Sequence, residues 1–109
     1  MNCLIAIVLI ATHFGGTWIG TMMTGGTTED PAFMMLSQNG NVITGTIGPD
    51  RQAQFKITKA SIEDDTLTLE AQPGGTLRFV MKMDGDKLAG KVFENGETIG
   101  TIQFERIKE

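Results

Sequence analysis

Tyrosine is absent from this chain, and cysteine, histidine and tryptophan occur once each, as Cys3, His13 and Trp18. One cysteine permits no intrachain disulfide. That leaves a cytosolic and a bacterial periplasmic home both compatible with the composition. One histidine with only two serines, Ser37 and Ser61, supplies no convincing nucleophile–base pair, and neither serine sits in a nucleophile-elbow sequence. Long apolar runs are missing too. The longest, residues 3–11, is shorter than the roughly 20 residues a membrane-spanning helix needs, so no integral membrane segment is expected. Basic runs are lacking and the formal net charge is -4, which argues against nucleic acid as a partner. No glycine-rich phosphate loop precedes a helical pattern. The acidic turns Glu63-Asp64-Asp65 and Asp84-Gly85-Asp86 lack the ligand spacing of a calcium loop. Neither a metal, a cofactor nor an enzymatic activity is therefore expected.

Glycine, by contrast, is abundant, at 14 of 109 residues, and it recurs in a pattern. A turn dipeptide is followed by an apolar residue and a glycine on alternate positions. Asn39-Gly40 precedes Ile43, Gly45 and Ile47. Asp84-Gly85 precedes Leu88, Gly90 and Val92. Asn95-Gly96 precedes Gly100 and Ile102 in a version one residue shorter. Such dipeptides accept positive φ and mark tight hairpins. Glycine inside a strand marks a bend or a close backbone approach. Repeated hairpins with repeated bends describe a sheet curling into closure.

Turn signals every 8–12 residues predict eight strands, over residues 16–23, 32–38, 41–47, 53–62, 66–72, 76–83, 87–93 and 98–107, with a bulge near Lys59-Ala60. Alternation gives each strand one apolar face. The inner set includes Trp18, Met22, Met34, Phe55, Phe79, Met81, Met83 and Phe104. The expected class is all-β, a small up-and-down antiparallel barrel of about eight strands; a two-sheet β-sandwich would use the same pattern. Residues 15–109 form its single domain. Residues 1–14 read as an apolar N-terminal segment, with the length of a signal-peptide core but no preceding positive charge, which implies a periplasmic or extracellular location.

Two surfaces invite partners. The eight inner residues just named, rich in adaptable methionine, are candidates to line a pocket for an apolar small molecule. On the outer face, Ile19, Met23, Phe33, Met35 and Val42 fall on three consecutive strands and are expected to form one apolar patch, fit for a second copy or another protein. A non-enzymatic structural or interaction domain acting through that patch needs the fewer assumptions. A lipocalin-like binding module is the alternative.

The opening Gly16-Thr17-Trp18-Ile19-Gly20 resembles the Gly-x-Trp start of the lipocalin and avidin-like (calycin) barrels. In those families the tryptophan closes one barrel end and an arginine near the end of the last strand packs across it. Arg106 occupies that place here, so the resemblance implies floor closure by Trp18 and Arg106. The chain also looks like small exported bacterial β domains that open Gly-x-Trp-x-Gly, a likeness spanning residues 15–107. With one tryptophan and no tyrosine, neither a biotin site nor a fatty-acid carboxylate site is implied.

Overall fold

Eight antiparallel strands close on one another in chain order: β1 (Gly16–Thr24), β2 (Thr28–Asn39), β3 (Val42–Gly48), β4 (Phe55–Glu63), β5 (Thr66–Ala71), β6 (Leu77–Asp84), β7 (Lys87–Glu94) and β8 (Glu97–Ile107). This is a computed structural model, and it describes residues 13–108. β1 pairs with both β2 and β8, from Thr17 opposite Ile107 to Thr24 opposite Gly100, and this closure excludes the sandwich. Among the described residues there is no helix, and hence none long and apolar enough to cross a membrane. Cys3 and the apolar run at 3–11 lie outside the described residues.

The turns show why these segments pair as they do. Asn39 pairs with Val42 and Asp84 with Lys87, so the two-residue loops are Gly40-Asn41 and Gly85-Asp86. Only the glycine of each has positive φ, +65° and +64°, which suits a turn with glycine in first place. Between β7 and β8 the loop is Asn95-Gly96, with φ positive at both. The expected dipeptides are therefore displaced by one residue in the first two hairpins. Counted from the true loops, Gly45, Gly90 and Gly100 each follow at the fourth position, and the third hairpin is no shorter than the others.

These inward glycines are where the sheet folds over itself. A Cβ on Gly20 would lie 1.7 Å from the Gln103 carbonyl oxygen, and one on Gly90 would lie 1.8 Å from that of Val80. A Cβ on Gly45 would meet the Met35 carbonyl oxygen in the same way, and one on Gly100 that of Met23, each at 2.0 Å. No side chain fits between strands that cross this closely, so the bend requires glycine.

Two irregularities reset the alternation. In β4 the register shifts between Ile57 and Lys59, placing the bulge at Thr58, one residue before the expected position. Ile57 before it and Ala60 and Ile62 after it can then all face the core. A second shift faces Val92 and Phe93, and leaves Ile99 of β8 without a counterpart on β7.

β2 begins four residues earlier than the sequence suggested and contains Pro31, opposite Thr21 of β1. β3 reaches only as far as Phe33 of β2, so among the described residues Pro31 has no strand partner on that side. A missing N–H does no harm on such a free edge.

The barrel interior is packed along most of its length by Trp18, Met34, Leu36, Leu67, Leu69, Met81, Leu88, Val92 and Phe104, all buried. β3 and β4 form the weakest seam, paired only at Thr46–Lys56 and Ile47–Phe55.

Candidate functional site

One end of the barrel is sealed. The Trp18 indole is buried, and its Nε1–H donates to the Phe14 carbonyl oxygen at 3.0 Å. Phe14 is buried beside it, and its own N–H donates to Gln38 Oε1 at 2.6 Å. Arg106 stands directly opposite Trp18 in the β1–β8 pairing, with its guanidinium carbon 4.5 Å from the indole centroid. Its Nη1 donates to the carbonyl oxygens of Gly15 (2.7 Å) and His13 (3.1 Å), and its Nε to Asp86 Oδ1 (2.9 Å). A planar guanidinium can stack on a ring face while its edge donates to oxygens in the same plane, which an ammonium cannot do. Arg106 thus ties residues 13–15 across the tryptophan to the β6–β7 turn. The sequence pattern places Phe14 in the N-terminal segment; in the structure it belongs to the core cluster. An aromatic next to Gly15-Gly16 and four residues before Trp18 was the available signal.

Among the described residues, the other end is open. A cavity of about 290 Å³ lies there, between the β1–β2, β3–β4 and β5–β6 connections. Phe55, Leu77, Phe79, Met22, Ile47 and Ile102 supply its larger apolar walls; Ala32, Gly48 and Ala71 supply little volume and so leave the space. Pro31, Pro49 and Pro73 stand around the rim, and Asp30 is the only ionisable side chain among the described residues of the lining. The β3–β4 connection is held in shape by its own hydrogen bonds. Asp50 Oδ1 accepts from the N–H groups of Gln52 (2.9 Å) and Ala53 (2.7 Å), and Gln54 Nε2 donates to the Phe33 and Asp50 carbonyls.

Of the eight inner residues expected to line a pocket, Met22, Phe55 and Phe79 do so. Trp18, Met34, Met81 and Phe104 instead fill the closed half, and Met83 is half-buried against them next to Leu88. Alternation identifies the inner face and says nothing about depth along the barrel axis; depth decides which inner residues meet the cavity. The small inward residues Ala32 and Ala71 were the legible sign of unfilled volume.

The outer patch does not assemble as expected. Phe33 is only 5% exposed, because the β3–β4 connection folds over it and the Arg51 guanidinium stacks on its ring at 4.5 Å. Met23 lies four residues along β1 from Ile19, and Val42 lies four residues along β3 from Thr46, the partner of Met35. Each separation is about 13 Å. Ile19 and Met35 remain as an exposed diagonal pair.

A closed eight-stranded meander with one sealed end and one apolar opening is an up-and-down antiparallel β-barrel. Among solved structures, the chain is similar to a point mutant of the fluorescent protein UnaG, with a TM-score of 0.52 and 15% identity over 88% of this chain and 97% of that one. The likeness is one of fold. No protein-family model matches the sequence, and no curated protein matches it.

Proposed function

We propose that this protein is a small non-enzymatic binding module that takes the apolar part of a small molecule into the open end of its barrel. The observation that carries the reading is the cavity of about 290 Å³ at the end opposite Trp18, walled by apolar side chains and rimmed by prolines. Its size lies at the lower limit of small-molecule pockets, roughly 300–1,000 Å³. The calycin-like fold supports the same reading. Interaction through an outer apolar patch is less favoured, because burial of Phe33 interrupts that patch. The Gly16-Thr17-Trp18-Ile19-Gly20 opening supports membership of the exported bacterial barrels of that type, with a periplasmic or extracellular location.

Native mass spectrometry of protein purified without detergent tests the reading directly. Retained small molecules, or uptake of added medium-chain apolar compounds, are the expected result, and Ala71→Leu should abolish uptake by filling the cavity. A protein that takes up none of them, yet dimerises through Ile19 and Met35, would overturn it. Ile19→Lys with Met35→Lys would then return it to a monomer.

A further inference from the structure

The charges around the cavity select the kind of molecule it takes. Asp30 lines the cavity beside Met22, its partner across β1–β2, and its carboxylate makes no hydrogen bond or ion pair among the described residues. Glu29, Asp50, Glu94 and Glu97 belong to the connections at the same end or to the strand ends flanking them. Among the described residues Arg51 is the one basic residue in those connections, its guanidinium engaged on the outer wall over Phe33, and Lys56 at the flanking start of β4 pairs with Thr46 on the outer face. Arg78 is likewise placed outside, 5.0 Å over the Phe93 ring. No described lysine, arginine or histidine lines the cavity. An anionic headgroup entering here would meet an unpaired carboxylate and no counter-charge, a repulsive arrangement. A positive headgroup would meet the Asp30 carboxylate, an attractive arrangement.

We propose that the cavity selects amphiphiles carrying a positively charged amine, with the apolar part inside and the ammonium at the rim by Asp30. The proposal rests on the binding-module reading. The volume accommodates about ten water-sized groups, at about 30 Å³ each. A single ring or a chain of about ten carbons therefore fits.

Titration calorimetry with decylamine, decanol and decanoate, each below its micelle concentration, tests this. Decylamine should bind about twofold to fivefold more tightly than decanol, the gain expected of one rim ion pair. Decanoate should bind most weakly. Asp30→Asn should remove the difference between decylamine and decanol. So should raising the salt from about 0.01 to about 1 M, where the Debye length falls from about 30 to about 3 Å. Ala71→Leu should abolish binding of all three; Ala32→Leu serves the same purpose if the first variant fails to show a native near-ultraviolet spectrum. Equal affinities that are lost on filling the cavity would overturn charge selection and leave the binding module standing. Decanoate as the tightest of the three would overturn it as well. Failure of all three to bind would overturn both readings.

Discussion

Trp18 and Arg106 share one arrangement yet contribute differently. Trp18 buries a large ring and one satisfied N–H, so Trp18→Ala leaves both a hole and a Phe14 carbonyl without its donor. A loss of about 3–5 kcal/mol is expected in urea unfolding. Arg106 works through its guanidinium, which stacks on the indole and donates to two backbone carbonyls and Asp86. Arg106→Ala should cost about 1–3 kcal/mol, and Arg106→Lys should recover little of it because the stacking and the fork of donors are lost together. A lysine variant as stable as the parent would reduce the role to charge alone. The glycines divide as sharply. Gly90→Ala places a methyl 1.8 Å from a backbone carbonyl oxygen and should cost about 3 kcal/mol or more. Gly74→Ala, in open space, should stay within about 0.5 kcal/mol of the parent.

The strands are unequal in how firmly their neighbours hold them. β1 is paired along its length on both sides, whereas β3 and β4 share only Thr46–Lys56 and Ile47–Phe55. Amides of Ile43 and Thr44, and of Ser61 and Ile62, that point toward this seam should exchange with solvent faster than the amides of β1 or β7. Hydrogen exchange at single-residue resolution checks this, since local opening tracks the backbone bonds a segment has. Uniform protection around the barrel would contradict it. The same seam lies beside the cavity, where Ile47 and Phe55 both form wall.

The molecule as a whole has a filled half and a hollow half, and that asymmetry has a thermodynamic signature. A ligand bound only by the folded barrel raises its stability by mass action, about 2.7 kcal/mol at a free concentration 100 times Kd. For a domain of this size, that corresponds to a rise in Tm of roughly 10–20 °C. A concentration-dependent rise in Tm with a cavity-filling amphiphile, absent in Ala71→Leu, is the expected outcome. An unchanged Tm at saturating concentration would count against the hollow half as a binding site.

Much of this architecture was legible beforehand, and the reasons are local. Alternation of large apolar with polar residues fixes the two faces of each strand, because a one-residue slip would bury threonine, lysine and glutamate. Turn dipeptides and inward glycines dictate hairpins and bends through backbone sterics at single positions. Those constraints suffice for an eight-stranded barrel with Trp18 inside. They do not reach the depth of an inner residue along the axis, the displacement of Gly40 and Gly85 to the first place in their turns, or the folding of the β3–β4 connection over Phe33. The folding over Phe33 and the sealing of one end depend on contacts between segments distant in sequence: Arg51 with Phe33, Arg106 with Trp18, Gln38 with Phe14. Periodicity records which side of a strand is dry; only closure of the barrel decides where the dry side is filled and where it stays hollow.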